Sequence, residues 1–353
     1  MTEIIAEIGS THQGEVTTAM RLIEAAAKAG ASAVKFQKRS NRHLFTKAYY
    51  NAPYNSESSY GATYGEHREH LEFNKMEYRL LKLQAEDQGV KFYCTAFDPE
   101  SVDFLVDLGV DGIKIASGDL TNSPLLAYAA STGLPMYVSS GAASLEDVQR
   151  AVELLRPLSP GFALFQCTAI YPCRAEDLDL HVIPQYKALF PDLRIGFSSH
   201  FSGIWPGPVA VALGAEVLEL HVTLDRASRG TDHGFSLEPQ GLRKLVRDVR
   251  RVEAALGTGT KSVRPSELPA LTKMAKAIRA ARTLPSGTVL SLDDLSIKSP
   301  GGDGFPPYRL NEVIGRRLLR ECSEDDLILE ENLDEARRPH RNGSRVLPSQ
   351  ERR

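Results

Sequence analysis

The sequence predicts an α/β fold, a closed (β/α)8 barrel followed by a small β-rich unit. Three observations lead there. Eight short apolar runs rich in β-branched residues alternate with amphipathic helical segments, the pattern of a parallel sheet covered by helices. These pairs fill residues 3–256, close to the roughly 250 residues typical of an eightfold barrel. Beyond Leu256 the pattern changes to Gly, Pro and Asp turns between short apolar stretches, which reads as a separate unit.

The strand candidates are residues 3–8, 33–37, 91–96, 112–117, 136–140, 163–168, 194–198 and 217–222. Each is short and mostly apolar, as a strand buried on both faces should be. Between them, VTTAMRLIEAAAKAG carries an apolar stripe and stops at Gly30, and SLEDVQRAVELL opens at Ser144 with Glu146 and Asp147 in its first turn. A Gly just past the end, and acidic residues behind a Ser cap, are helix stop and start signals. Residues 39–73 are polar and Tyr-rich, far longer than an ordinary loop, and are therefore expected to be functional or disordered. In a barrel they would sit at the active end. The catalytic barrel is assigned to 1–262, and a linker with a helix around 271–282 to 263–282. The β-rich unit takes 283–335, and 336–353 form a solvated, disordered basic tail.

With 42% apolar residues, 25% charged and a net charge of −3, the chain has the composition of an ordinary soluble globular protein. The tail holds six arginines against Glu351, so its +5 leaves −8 on the rest. An acidic body argues against a nucleic-acid partner. No run approaches the roughly 18 apolar residues of a membrane helix, and the start, MTEIIAEIG, lacks a secretory leader. Cys94, Cys167, Cys173 and Cys322 form no C-x-x-C pair and are too few for a disulfide framework. A reduced, cytoplasmic setting is expected, with no membrane partner.

Barrel enzymes carry their chemistry where strands end, and these positions are polar. They hold Glu7; Lys35 and Gln37; Thr95; Lys114, Ser117 and Asp119; Ser139; Tyr171; Ser198 and His200; and Glu219 and His221, with Asp232 beyond. His200 and His221 end neighbouring strands about 4.8 Å apart, so both rings can reach one ion. Two histidines plus water and substrate oxygens suit an exchangeable Mn, Mg or Co ion better than a closed zinc site. Each alone would read as a core histidine. Lys35 and Lys114 are costly to bury unless an anion meets them. They suit a Schiff base or a phosphate or carboxylate clamp, and the hydroxyls of Thr95, Ser117 and Ser139 favour the clamp. Structural snorkelling is the plain alternative. Glu7, Asp119 and Asp232 can serve as base, acid or hydroxyl acceptor, or as structural ion pairs. Glu219 reads more simply as a barrel ion pair.

The ordered run AEIGSTHQG, VKFQK, TYGEHREHLEF, IKIASGD, VSSG, QCTAIYP, IGFSSH, LELHVTLD and GTDHGFSLEP resembles the sialic acid synthase family, nearly to Leu333. The second unit resembles that family's antifreeze-like, or SAF, domain. SGD and GFPP look more like the animal-type branch. The resemblance implies a (β/α)8 TIM barrel with a SAF domain. It also implies a metal-dependent C–C bond-forming transferase of sialic acid biosynthesis, joining phosphoenolpyruvate to N-acetylmannosamine or its 6-phosphate. His200 and His221 match the family's metal ligands, with Mn2+ foremost and Mg2+ or Co2+ as alternatives. Lys35, Gln37, Thr95, Lys114, Ser117, Ser139 and Ser198 match the phosphoenolpyruvate positions, and Glu7, Asn74, Tyr171 and Asp232 those around the sugar. Asp119 is assigned as the base for water, with Glu7 and Lys114 as its catalytic companions.

Departures are Ala169 before the Tyr-Pro pair, Ser199, and Ser299 where many members place an arginine that enters the partner's site, with Lys298 a weak substitute. A domain-swapped homodimer is the family expectation. A 6-phosphate would need added basic residues, and Arg39, Arg42, Lys47, Arg68 or Arg229 can provide them. The alternatives are a synthase or metal aldolase for another aldehyde sugar, a Schiff-base aldolase, and a non-enzymatic sugar-binding protein.

Overall fold

The structure, a computed structural model, describes residues 1–335 apart from residue 160. The basic tail at 336–353 lies outside the described residues. The chain divides into two compact units, Met1–Thr258 and one opening at Gly259.

The first unit is the expected barrel. Strands β1 (Glu3–Glu7), β2 (Ala33–Lys38), β3 (Lys91–Ala96), β4 (Gly112–Ile115), β5 (Met136–Ser139), β6 (Phe162–Cys167), β7 (Arg194–Ser199) and β8 (Val217–His221) close in chain order. All eight neighbouring pairs are parallel. Around them run α1 (Val16–Ala29), then α2 (Asn41–Leu44), α3 (Lys47–Tyr50) and α4 (Tyr64–His70). Next come α5 (Lys75–Asp87), α6 (Pro99–Leu108), α7 (Ser123–Ser131), α8 (Leu145–Leu155), α9 (Val182–Leu189), α10 (Pro206–Ala212) and α11 (Pro239–Leu256). Two caps are placed as expected. Gly30 ends α1 at φ 90°, and Ser144 opens α8 with a reciprocal capping box to Asp147; the first position favours a residue without Cβ, and the second satisfies two orphan donors.

Inside the barrel, Ile5, Ala33, Tyr93, Tyr137, Phe165 and Val217 form a packed layer. Below it the Tyr137 hydroxyl donates to Glu3 at 3.0 Å, and Arg194 donates to the other oxygen of Glu3 at 2.8 Å. This closes the N-terminal end and leaves chemistry to the other one. Register levels the functional strands: Glu7 pairs with Lys35 on one side and His221 on the other, Thr95 with Gln37 and Lys114, and Ser198 with Glu219.

Residues 39–73 are structured, with three short helices, and not the disordered alternative. Helices α2 to α4 pack through Phe45, Tyr49, Tyr54, Tyr64 and His67, with ring centroids 4.6–5.6 Å apart for successive contacts. Thr63 and Glu66 form the capping box of α4.

In the second unit the helix expected around 271–282 is shorter and earlier. Helix α12 is Leu268–Met274, and Ala277–Ala280 form strand β9, antiparallel to β10 (Leu295–Lys298). The Ala-rich run AKAIRAAR favours helix by local propensity, but Ile278 and Ala280 are fully buried in this unit's own core with Leu284, Leu290, Phe305 and Ile328. Tertiary packing overrides propensity here. A short helix α13 (Leu310–Val313) completes the unit. Ser299 Oγ donates to the Met274 carbonyl at 3.1 Å, and Lys298 pairs with Asp325, so both residues are engaged locally.

Candidate active site

A cavity of about 800 Å³ opens at the C-terminal end of the barrel strands, within the range of small-molecule sites. Every predicted site residue except Asn74 lines it. Asn74 is instead a helix cap, because its Oδ1 accepts from the amides of Met76 and Glu77 at the start of α5, at 2.9 and 3.1 Å, while Glu77 returns the bond. The structure thus places Asn74 at a helix start outside the cavity lining, apart from the other residues expected around the sugar.

At the cavity floor, buried charges alternate in sign. Lys35 Nζ is 2.6 Å from Glu7 Oε2 and 3.7 Å from Glu219 Oε1, and donates to Thr95 Oγ1 at 2.8 Å. Lys114 Nζ stands 3.4 Å from Glu219 Oε1, which also accepts from Ser198 Oγ at 3.2 Å. All four charged groups are under 6% exposed as side chains. Burial works against both ammonium groups. Glu219 and Glu7 outweigh it at Lys35, whose pKa rises, whereas Lys114, with Lys35 as an unfavourable neighbour, is lowered. Burial also opposes the Glu219 carboxylate, but the two lysines hold it well below the usual range. Glu219, which reads more simply as a barrel ion pair, is therefore the hub of the floor.

The hydroxyls complete this wall. Ser139 Oγ is buried without a hydrogen-bond partner among the described residues, so its hydroxyl is free to donate to an oxygen in the cavity. Ser117 Oγ accepts from the Gly141 amide at 2.9 Å; a Cβ at Gly141 would lie 2.8 Å from that oxygen, so glycine is required for the approach. Gln37 Nε2 donates to Glu7 Oε1 at 2.6 Å and its Oε1 accepts from Arg39.

Opposite stand the histidines. Their ring centroids are 5.4 Å apart, with the Tyr171 ring 3.9 Å from His200. His200 Nδ1 lies 2.8 Å from the Thr168 carbonyl, which can only accept, so Nδ1 carries the proton and Nε2 a free lone pair. Burial first, then His221, lowers the His200 pKa to about 4. A neutral imidazole with its second nitrogen tied to a carbonyl is the ligand form of histidine. His221 Nδ1 is buried without a hydrogen bond among the described residues, 3.8 Å from Asp232 Oδ2, which accepts from Ser10 at 2.9 Å. The donor set fits a divalent ion that takes its remaining ligands from water or substrate. Among the described residues no cluster of three or more His, Cys, Asp or Glu could hold a metal, so a fully protein-enclosed site is not what this arrangement offers.

Asp119 ends a 3-10 turn, Ser117–Asp119, that follows β4. Burial raises its pKa, partly offset by a hydrogen bond from Asn122 at 3.1 Å. Sequence reasoning passed over Phe97 and Cys167 as lining residues, although Cys167 ends β6 and Phe97 directly follows β3, which was the available signal.

Comparison with known proteins identifies the family. A family model described as the NeuB family matches residues 22–261, and the SAF domain model matches 275–334. The chain is 44% identical over 331 residues to the N-acetylneuraminate-9-phosphate synthase of Homo sapiens, covering 94% of this chain and 92% of that one. It is 35% identical to the N,N'-diacetyllegionaminic acid synthase of Legionella pneumophila, covering 94% of each. Among solved structures, the N-acetylneuraminic acid synthetase of Leptospira borgpetersenii in complex with citrate superposes with a TM-score of 0.68 at 35% identity, over 76% of this chain and 90% of that one. The chain belongs to the NeuB family and ends in a SAF domain.

Proposed function

We propose that this protein condenses phosphoenolpyruvate with N-acetylmannosamine or its 6-phosphate, giving a nine-carbon 2-keto-3-deoxy sugar acid and inorganic phosphate. The observation that carries this reading is the pairing of the lysine-bearing floor with the His200 and His221 pair in one cavity. Relatives named as synthases of such acids support it.

Lys35, Lys114 and the hydroxyls of Thr95, Ser117, Ser139 and Ser198 hold the phosphate and carboxylate of phosphoenolpyruvate. His200 and His221 hold a divalent ion, with Mn2+ foremost and Mg2+ or Co2+ as alternatives; when bound, it supplies Lewis-acid polarisation of the sugar aldehyde. The lining itself supports such an ion. Lys35, Arg39, Arg68 and Lys114 balance Glu7, Asp119, Glu219 and Asp232, so the cavity brings no surplus positive charge to an anionic substrate. Tyr171 and Asp232 position the acceptor. C3 of phosphoenolpyruvate attacks the aldehyde carbon, whose oxygen takes up a proton and becomes a hydroxyl. Water adds at C2 and gives one proton to Asp119. The C2–O bond to phosphate then breaks as the new C2 hydroxyl loses its proton, leaving the 2-keto acid and inorganic phosphate. Glu7, fixed by Lys35 and Gln37, orients Lys35 and accepts from a sugar hydroxyl. Among the described residues no helix is long and apolar enough to cross a membrane. A cytoplasmic homodimer with exchanged SAF domains belongs to the same proposal, since a unit this small gains stability by docking.

Chelation tests the reading against imine chemistry. The proposal expects a chelator to abolish turnover and Mn2+ to restore it, with no inactivation by borohydride in the presence of substrate. Chelator-resistant activity trapped by borohydride would assign Lys35 or Lys114 to a Schiff base instead.

A further inference from the structure

A sugar carrying a terminal phosphate requires a second anion site, away from the floor that receives phosphoenolpyruvate. Of the five basic residues that the sequence makes available for it, the structure separates two. The Arg42 guanidinium lies over the Tyr50 ring at 4.9 Å, outside the cavity lining, and Lys47 is exposed and also outside it. Arg229 is used in stitching: its Nε donates to the Glu57 carbonyl, and its own carbonyl accepts from Tyr60 at 2.6 Å and Gln13 at 2.9 Å. Arg39 and Arg68 line the cavity.

Neither arginine has a carboxylate to itself at close range. Among the described residues Arg68 has no carboxylate within ion-pair distance; its Nε donates to the neutral Tyr64 hydroxyl at 3.0 Å. The carboxylate nearest to Arg39 is Glu72 at 4.0 Å, and Glu72 is already held by Lys38 at 2.8 Å. The Arg39 guanidinium carbon stands over the Phe97 ring, 3.9 Å from its centroid, with one guanidinium arm on Gln37. Asp119 acts on Arg39, and Asp232 on Arg68, only at longer range. Burial, followed by repulsion from Arg68, lowers the Arg39 pKa. Two guanidinium groups sharing one wall in this way are stabilised by an anion between them.

Their position fits the acceptor. Lys35 and Lys114 sit within strands at the floor, whereas Arg39 follows the end of β2 and Arg68 rides on α4. A sugar with its aldehyde at the histidine pair would send its opposite end outward, toward these arginines. Resting on the function proposed above, we propose that Arg39 and Arg68 form the subsite for the terminal phosphate of the acceptor, so that the protein selects a 2-acetamido sugar 6-phosphate over the free sugar.

The test is steady-state kinetics with phosphoenolpyruvate and Mn2+, offering N-acetylmannosamine and its 6-phosphate to the wild type, Arg68→Gln and Arg39→Lys. The wild type should prefer the phosphorylated sugar. Arg68→Gln should lower the ratio of the two kcat/KM values by about 10- to 100-fold, the loss of charge-assisted bonds to one phosphate. Arg39→Lys, which keeps the charge but not the fork, should lower it less. An equal loss on both sugars, a raised KM for phosphoenolpyruvate, or no preference in the wild type would overturn the subsite while leaving the condensation intact. Turnover of neither sugar by the wild type would overturn the function on which the subsite rests, and the subsite with it.

Discussion

The buried charge cluster at the barrel floor makes a quantitative prediction through Lys114→Met. In the wild type, Lys35 and Lys114 face Glu7 and Glu219, two charges of each sign. Removing Lys114 leaves two carboxylates against one ammonium in a region under 6% exposed. Breaking a buried pair from one side destabilises by about 3–5 kcal/mol, and Lys35 at 3.7 Å from Glu219 places the effect near the lower figure. Adding Glu219→Gln restores one charge of each sign, with Lys35 and Glu7 still 2.6 Å apart. The double variant should therefore recover at least half of the loss, a coupling of about 1.5 kcal/mol or more, in the range seen for groups that share a network. Urea unfolding of the three proteins, read from the transition midpoints at constant slope, measures this. Phosphoenolpyruvate binding should not recover, because the cation that holds it is absent in both variants; KM should rise about 10- to 100-fold in each. A double variant no more stable than Lys114→Met would refute the charge-balance account, and an unchanged KM would remove Lys114 from the substrate site.

Three further predictions concern single groups. Asp119→Asn should abolish phosphate release while Mn2+ binding, followed by calorimetry, persists; since burial raises the Asp119 pKa, the acid limb of kcat/KM in the wild type should lie above the ordinary 3.8. Asn74→Ala should reduce stability by about 1 kcal/mol, as cap removal does, without altering KM for the sugar; a large KM effect would return Asn74 to the binding site. Burial works against the Asp232 carboxylate, but His221 and its hydrogen bonds lower its pKa below 3.8, so its contribution to stability is complete above that value and lost as pH falls through the lower, folded one. The stability gap between wild type and Asp232→Asn should thus be full at roughly pH 6 and close below 3.8, and a gap that widens toward acid would contradict the assignment.

The barrel was legible because its strands are buried on both faces, so apolar runs mark them almost without reference to the rest of the chain. Strand ends moved by one or two residues where polar site residues follow, as at β4, which stops at Ile115 and leaves Ser117–Asp119 in a tight turn. Most of the site was legible for the same reason, since strand ends name its positions. What escaped depends on contacts between distant segments. Residues 39–73 show no periodicity because short helices there are held by aromatic packing, yet the Thr63 to Glu66 spacing announces a cap. The same signal stands at Asn74 and Glu77, where family likeness suggests a sugar contact and the side chain caps α5 outside the cavity lining. β9 was hidden by helix-favouring alanines. The separate standing of Arg39 and Arg68 needed side-chain positions that spacing does not provide.

The most direct test of the central claim measures two products together. Wild-type protein is given phosphoenolpyruvate and N-acetylmannosamine 6-phosphate, with Mn2+ or with chelator, and both phosphate and 2-keto-3-deoxy acid are quantified. The account predicts equal molar amounts of the two with Mn2+ and neither with chelator. Phosphate without the keto acid, or keto acid formed at full rate under chelation, would contradict it.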